Sequence, residues 1–302
     1  MKYLYYPGCS VKSTNRAYEE SLLAVFNHSS IPLEEINDWN CCGATAYMAV
    51  NEIRAFALAA RNFGLAEQQA GYPGTDSLNI VVPCSGCYLV LYKTKEYLNI
   101  HPHLKEKIQA GLREIGLKYT SNIAIRHPLD VVVNDIGLET LAQFVQQPLN
   151  GYKIACYYGC QIVRPFEAFE SARNPSILEN MVTALGAEAV DWPLKTRCCG
   201  GTLMGTIHEV GLRLSHILLK EAQKHGANLI ITTCPLCQIN LECYQSHMNR
   251  IYAEKISIPV IFFTQLIGMA FGISSRQLGI NRLFVSPLRA RQNIEGGSYV
   301  RV

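Results

Sequence analysis

Ten of the twelve cysteines fall into two sets that share one order of spacings. Each set has a leading cysteine, then two adjacent cysteines followed by glycine, then a Cys-x-x-Cys pair. The first set is Cys9, Cys41, Cys42, Cys84 and Cys87, and the second is Cys160, Cys198, Cys199, Cys234 and Cys237. Because thiolates are soft ligands and effective redox groups, the repeated pattern indicates metal ligation or redox chemistry.

Three kinds of chemistry fit these thiols. A structural zinc site uses four tetrahedral ligands, often from two Cys-x-x-Cys pairs, whereas each set here contains only one such pair. Five thiolates exceed the ligands of a single zinc ion but suit a cluster of several iron atoms, in which one thiolate can bridge. The pattern therefore favours iron–sulfur clusters, while zinc in one half and metal-free redox cysteines stay open as alternatives.

Three more residues are candidates for lesser roles. Cys156 and Cys243 lie outside the two sets, and a small buried side chain is the simplest interpretation of each. His127 follows a predicted strand, so it could reach the same edge as the cysteines and act as a proton donor. A core histidine is the alternative interpretation.

The elements that position the cysteines alternate between strands and helices. Strands are predicted at residues 2–6, 33–39, 78–82 and 122–125, and again at 153–158, 188–192, 229–233 and 259–262. Helices are predicted between them, at 13–28, 51–69, 103–117, 126–146, 177–185, 210–225 and 264–271. This alternation predicts an α/β fold of two pseudo-repeated halves with largely parallel sheets. Since ligands of such sheets bind beyond the carboxyl ends of strands, the five cysteines of a half should converge at one edge.

The spacing between matching cysteines indicates a tandem repeat. Cys9 and Cys160 are 151 positions apart, and the two Cys-x-x-Cys pairs are 150 apart. Small differences in loop length account for the spread. We expect a first cysteine-rich domain over residues 1–148 and a second over 149–302 that ends in a C-terminal tail.

Composition excludes several classes of protein. Of the 302 residues, 49% are hydrophobic and 17% are charged, which predicts a globular chain, and a net charge of +3 gives no reason to expect nucleic-acid binding. The N-terminus lacks the apolar stretch of a secretory signal. The uncharged segment 256–275 is interrupted by proline and glycine and is too short in its apolar part to span a bilayer. We therefore expect a cytoplasmic protein without a membrane span of its own.

No dinucleotide or phosphate-binding glycine loop occurs in the sequence. A chain that holds redox clusters without a flavin or nucleotide site must exchange electrons with a partner.

The motifs, taken together, resemble a known family. They are Tyr6-Pro7-Gly8-Cys9, Pro83-Cys84-Ser85-Gly86-Cys87, Tyr157-Tyr158-Gly159-Cys160, Cys234-Pro235-Leu236-Cys237 and the closing Gly279-Ile280-Asn281. The double pattern resembles the cysteine-rich CCG domain, and two copies in one chain resemble the B subunit of heterodisulfide reductase over nearly the whole length.

The resemblance implies a specific chemistry. Each set of five cysteines would bind one noncubane [4Fe-4S] cluster, and the two clusters would face each other across a site that a disulfide enters. The disulfide would be reduced, or thiols and other sulfur compounds oxidised in reverse, with electrons exchanged through a ferredoxin-like C subunit and a flavin-bearing A subunit. The identity of the substrate does not follow, whether the coenzyme M–coenzyme B disulfide or another sulfur compound. Because proline is common in the family where this chain has Cys156, that thiol becomes a candidate extra ligand.

A second function is consistent with the same motifs. Tandem CCG proteins also serve as electron-transfer or anchoring iron–sulfur subunits of some succinate dehydrogenase complexes. Such a protein would hold clusters without reacting with a disulfide.

Overall fold

The computed structural model describes residues 3–44, 46–71, 77–120 and 122–288, so the predicted C-terminal tail lies outside the described residues. Each half contains one four-stranded parallel sheet, which confirms the predicted α/β fold. The strands of the first sheet are β1 (Tyr3–Tyr5), β2 (Leu33–Glu35), β3 (Leu78–Val81) and β4 (Ile123–Arg126). Those of the second are β5 (Lys153–Tyr157), β6 (Glu188–Val190), β7 (Leu229–Thr232) and β8 (Val260–Phe262).

Both sheets have the same strand order. The first runs β2-β1-β3-β4 and the second β6-β5-β7-β8. In the first sheet Tyr3 lies opposite Leu33 on one side and Asn79 on the other. After β1 the chain therefore forms β2 on one side of that strand and then returns to form β3 on its other side. Such a reversal opens a crevice at the carboxyl ends of the two central strands, and this is where ligands bind in open α/β sheets.

Helices of the first half connect these strands. They are α1 (Cys9–Lys12), α2 (Arg16–His28), α3 (Ala46–Val50), α4 (Glu52–Ala70), α5 (Ser85–Ile100), α6 (Pro102–Glu114), α7 (Pro128–Val131) and α8 (Leu138–Gln143). Local sequence explains the ends of α4: Asn51 caps its start by accepting a hydrogen bond from the Arg54 N–H at 3.1 Å. Gly71 ends it with a left-handed φ of 72°.

The second half repeats the pattern. Its helices are α9 (Ile177–Ala184), α10 (Leu203–Thr206), α11 (His208–Lys224), α12 (Pro235–Glu242), α13 (Gln245–Tyr252) and α14 (Phe263–Ala270), followed by a short 3₁₀ helix, Ile280–Arg282. Proline is the first residue of α12, a position where its missing N–H costs nothing. The uncharged segment 256–275 forms β8 and α14, and among the described residues no helix is both long and apolar enough to cross a membrane.

One predicted helix differs from the structure. The sequence predicts a continuous helix over residues 126–146, but the chain forms α7, then a π-helix at Val132–Ile136, and then α8. Gly137 separates the last two with a φ of 84°. A positive φ cannot continue a right-handed helix, so the break is located at this glycine.

The chain divides into two compact units. The first comprises the residues up to Asn15 and Phe26–Val131, and the second comprises Arg16–Val25 and the residues from Val132 onward. Aromatic and hydroxyl contacts explain why most of α2 belongs to the second unit. Tyr18 stacks on Phe262 with ring centroids 4.1 Å apart, and the hydroxyls of Ser21 and Thr264 are 2.7 Å apart.

Candidate metal centre

In the first half, the five motif cysteines all follow a strand of the sheet. Cys9 begins α1 after β1, and Cys41 and Cys42 lie in the loop between β2 and α3. Cys84 is the N-cap residue of α5, and Cys87 lies in its first turn. The positive end of the α5 dipole therefore lies beside two thiols and favours their anionic, ligating form.

The second half places its five thiols in the same way. Cys160 follows β5, and the adjacent Cys198 and Cys199 follow β6. Cys234 is the N-cap residue of α12, and Cys237 lies in its first turn. The structure thus clusters the predicted site cysteines within each half, at the carboxyl ends of the strands.

A close pair of sulfur atoms marks the inner part of each cluster. The Sγ atoms of Cys42 and Cys87 are 3.2 Å apart, and those of Cys199 and Cys237 are 3.4 Å apart. All four side chains are buried, and none of the twelve cysteines forms a disulfide bond. A disulfide bond would bring the sulfurs to about 2.05 Å, so these thiols lie close together but unbonded.

Two glycines allow this close packing. Gly8 and Gly159, each directly before the leading cysteine, have φ values of 74° and 69°. A Cβ atom at Gly8 would lie 3.0 Å from the Cys87 Sγ, and one at Gly159 would lie 3.2 Å from the Cys237 Sγ. Any side chain here would be strained and would press on a thiol, which explains why glycine precedes cysteine in both halves.

A buried tyrosine holds the loop of adjacent cysteines in each half. The Tyr6 hydroxyl donates a hydrogen bond to the Asn40 carbonyl oxygen at 2.8 Å, and the Tyr157 hydroxyl donates to that of Arg197 at 2.7 Å. Burial, together with the nearby thiols, raises the pKa of both tyrosines above the usual range. Both phenols therefore stay protonated and keep donating to the carbonyl that precedes the cysteine pair.

Thiol–thiol hydrogen bonds shift the pKa values of the first set. Cys42 shares hydrogen bonds with Cys41 and Cys87, and the Ala44 N–H lies 3.4 Å from its sulfur. These bonds lower the pKa of Cys42 to about 4 despite its burial. The bond between Cys41 and Cys42 raises the pKa of Cys41. A single buried thiolate is thereby favoured in the first half.

In the second set, the low pKa falls on a different thiol. Hydrogen bonds from Cys160 and then Cys199 lower the pKa of Cys198 to about 2, and the positive charge of Arg164 contributes. Donation to Cys198 raises the pKa of Cys199 to about 12. The Arg164 guanidinium is held in place by a hydrogen bond to the Thr196 carbonyl oxygen. The favoured thiolate is therefore exposed in this half and buried in the other.

His127 is fully buried and contacts backbone groups with both ring nitrogens. Its Nε2 lies 3.0 Å from the Pro83 carbonyl oxygen, and its Nδ1 accepts a hydrogen bond from the Leu129 N–H at 3.1 Å. In the neutral form that this pattern favours, Nε2–H donates to the carbonyl directly before Cys84. The ring thus supports the turn that carries the Cys-x-x-Cys motif, and its role as a proton donor stays a prediction.

Cys156 and Cys243 differ from the motif cysteines in their surroundings. Cys156 is fully buried in β5, and side chains alternate along a strand, so it lies on the opposite face from Tyr157. Burial raises its pKa, and the charge of Glu179 acts in the same direction. Cys243 is half-buried at the end of α12, and burial raises its pKa to about 11. These surroundings suit small core side chains, and Cys156 as an extra ligand stays a prediction.

The donor set fits an iron–sulfur cluster in each half. It consists of five thiols outside any disulfide bond, including a buried pair with unbonded sulfurs, and a backbone N–H lies 3.4 Å from the sulfur of Cys42 and of Cys199. Soft sulfur donors with amide hydrogen bonds are the environment in which such clusters are held. In the described part of the chain, no three His, Cys, Asp or Glu side chains are arranged around one point as a single ion requires. The fit of an iron–sulfur cluster therefore rests on the chemistry of the thiol donors and on the close pair of sulfur atoms in each half.

One polar side chain of the second site was not predicted from the sequence. Asn240, in α12, is 1% exposed and donates a hydrogen bond from Nδ2 to the Cys199 Sγ at 3.5 Å. It lies three residues after Cys237, where the first half has Val90 after Cys87. Aligning the two halves would have exposed this polar-for-apolar difference.

Arg164 was not predicted either, and no sequence signal pointed to it, since it lies in an irregular loop without periodicity.

Comparison with known sequences finds a matching domain family and similar proteins of known name. The sequence profile of a cysteine-rich domain family, CCG, matches residues 3–92 and 154–242. The chain is 31% identical to the 8-methylmenaquinol:fumarate reductase membrane anchor subunit of Wolinella succinogenes, over 93% of this chain and 95% of that protein. It is 29% identical to the B subunit of the ferredoxin/F(420)H(2)-dependent CoB-CoM heterodisulfide reductase of Methanosarcina acetivorans, over 95% and 93%.

The fold is shared with a solved structure. It is the crystal structure of a hypothetical protein from Helicobacter pylori, with a TM-score of 0.75 and 14% identity. The match covers 94% of this chain but only 52% of that protein. At this identity the likeness concerns the fold alone.

Proposed function

Because the chain belongs to the family of cysteine-rich CCG domain proteins, we propose that it is the catalytic subunit of a heterodisulfide reductase-like complex. In this proposal each set of five cysteines holds a noncubane [4Fe-4S] cluster, and the pair of clusters reduces a disulfide or, in reverse, oxidises thiols or other sulfur compounds. B subunits of heterodisulfide reductases match nearly the whole chain, which supports the assignment.

The observation that carries the proposal is the duplicated thiol arrangement. Both halves have a buried inner sulfur pair, while Cys9, Cys41 and Cys198 are exposed. A ligand set that is anchored inside and open outside suits a cluster that must be reached by a sulfur compound. When bound, such clusters supply iron atoms that accept sulfur and electrons that cleave the sulfur–sulfur bond.

The reaction also requires partners. Reduction of one disulfide to two thiols consumes two electrons and two protons. Since the sequence contains no glycine-rich nucleotide loop, we propose that the electrons come through a ferredoxin-like protein from a flavin-bearing one. Twelve cysteines without a disulfide bond suit a reducing compartment, so the complex is proposed to work in the cytoplasm.

Anaerobic purification together with native partners tests this function. The purified complex is mixed with a reduced viologen dye and a panel of disulfides that includes the coenzyme M–coenzyme B disulfide. We expect dye oxidation that depends on one class of disulfide and disappears after substitution of Cys42 or Cys199 by serine. A complex with full iron and sulfide that oxidises the dye with none of the disulfides would contradict the proposal.

A second candidate function is favoured by the similarity to the fumarate reductase anchor protein. Here the chain would transfer electrons within, or anchor, a complex of the succinate dehydrogenase type. The same purification separates the two functions. In this case the co-purifying flavoprotein would oxidise succinate or reduce fumarate, and disulfides would leave the clusters unchanged.

A further inference from the structure

The buried amide of Asn240 contacts both a sulfur and a carbonyl group. Its Nδ2 lies 3.5 Å from the Cys199 Sγ and 2.9 Å from the Gly201 carbonyl oxygen. A primary amide has two N–H groups, so one can serve the sulfur and the other the carbonyl. The carbonyl contact fixes the amide in the orientation that directs its second N–H at a proposed cluster ligand.

The first half has no hydrogen-bonding side chain at the matching position. Val90 follows Cys87 by the same three residues, on the first turns of α5, and it is 4% exposed. The two inner sites agree in the spacing of their sulfur pairs and in their backbone donors. The sulfur pairs are 3.2 and 3.4 Å apart, and one backbone N–H lies 3.4 Å from the sulfur of Cys42 and of Cys199. Asn240 is therefore a hydrogen-bond donor that the second inner site has and the first lacks.

A hydrogen bond to a ligating sulfur stabilises the more negative, reduced state of an iron–sulfur cluster. The effect is larger at a buried position, where the low dielectric strengthens the interaction. The positive charge of Arg164 should favour the reduced state of the same cluster. A hydrogen bond to the carbonyl of Thr196, two residues before Cys198, positions its guanidinium.

On the premise of the proposed function, we propose that Asn240 makes the two clusters electronically unequal. The cluster of the second half has the more positive reduction potential and accepts an electron before the cluster of the first half. Asn240 is a positioning residue in this scheme, since it acts through Cys199 and touches no substrate.

Reductive titration of the anaerobically purified protein, followed by visible absorbance and electron paramagnetic resonance, tests the inference. We expect two separate midpoint potentials in the unmodified protein. Asn240→Leu, which is nearly isosteric, should lower the higher potential and leave the other unchanged. Val90→Asn should raise the lower one. Asn249→Leu serves as the matched control, because the Asn249 side chain bonds to the backbone of Ile256 with both its amide nitrogen and its oxygen and should move neither potential.

Each outcome bears on the inference or on the proposed function separately. Asn240→Leu protein with full iron and sulfide but unmoved potentials would overturn the inference and leave the function standing. If the Asn240→Leu protein loses its iron, the Val90→Asn protein tests the inference instead. A lower potential that is unchanged in Val90→Asn would then overturn the inference. Unmodified protein without iron and sulfide would overturn both.

Discussion

The two halves of the chain build the same thiol framework and surround it differently. Both sheets have the same strand order, and both inner sulfur pairs lie within 3.4 Å. In both, a glycine precedes the leading cysteine and a buried tyrosine supports the cysteine loop. The repeat thus preserves the elements that position ligands, which is what a duplicated cluster site requires.

The surroundings of the sulfur atoms differ between the halves. The second half adds the amide of Asn240 and the guanidinium of Arg164, whereas the first half has Val90 at the position that matches Asn240. The low pKa falls on buried Cys42 in one half and on exposed Cys198 in the other. If each half holds a cluster, as we propose, similar ligands in different electrostatic surroundings should give the two clusters different reactivity.

The largest expected effect comes from removing an inner cysteine. Cys42→Ser and Cys199→Ser each replace a soft ligand with a hard hydroxyl, so each variant should lose about half of the bound iron. Metal analysis of anaerobically purified protein measures the loss. Cys243→Ser is the control and should keep all its iron. Loss of all iron from either single variant would show that the halves do not bind clusters independently.

Alanine at the glycine before the leading cysteine should have the next largest effect. In Gly8→Ala and Gly159→Ala the positive φ costs about 1–2 kcal/mol of the free energy of unfolding, and pressure on the neighbouring sulfur adds about 1–3 kcal/mol. Gly8→Ala should be the more severe, since its Cβ would lie closer to sulfur, at 3.0 Å against 3.2 Å. Urea unfolding and iron content measure the two effects.

Two glycines with similar backbone conformation supply the control. Gly116 and Gly226 have φ values of 72° and 82°, and a Cβ at either would meet no atom within 4 Å. Their alanine variants should lose only the conformational cost of about 1–2 kcal/mol and keep their iron. Equal losses in all four variants would contradict the role given to Gly8 and Gly159.

Removing the tyrosine hydroxyls should weaken each half modestly. Tyr6→Phe and Tyr157→Phe each lose one buried hydrogen bond to a carbonyl oxygen, which costs about 1 kcal/mol of the free energy of unfolding. Denaturant unfolding measures it. Tyr47→Phe, at a half-exposed site, should change stability by less than about 0.5 kcal/mol. A similarly small effect of Tyr157→Phe would count against its support of the cysteine loop.

The smallest effect is a difference in labelling of cluster-free protein. With a pKa of about 2, Cys198 is already a thiolate at neutral pH, so its alkylation rate should stay flat from about pH 5 to about pH 8. The pKa of exposed Cys41 is raised, so its rate should keep rising over that range. Peptide mapping after brief iodoacetamide treatment compares the two. A Cys198 rate that rises with pH as steeply as that of Cys41 would contradict the assigned thiolate.

Strand pattern and cysteine spacing were sufficient to predict the fold. Short apolar runs that end in Cys9, Cys84 and their counterparts indicate parallel strands with thiols at their carboxyl ends, and the two sheets confirm this. The break at Gly137 was not predicted, because a single glycine is tolerated inside a helix and does not by itself mark where the helix ends.

The details of the site lay beyond the sequence for a different reason. Donation by Asn240 to the Cys199 sulfur joins residues 41 positions apart, and which thiol is buried depends on packing between elements. Pairwise geometry of this kind is not encoded in local periodicity.

The most direct test of the account is the content of the purified protein and its response to thiol. Anaerobically purified protein is analysed for iron, zinc and acid-labile sulfide, and paramagnetic signals are recorded before and after treatment with a thiol under oxidising conditions. Two [4Fe-4S] clusters predict about eight iron atoms and about eight sulfides per chain, with a new paramagnetic signal when thiol is added. Zinc alone, without sulfide, would contradict the account.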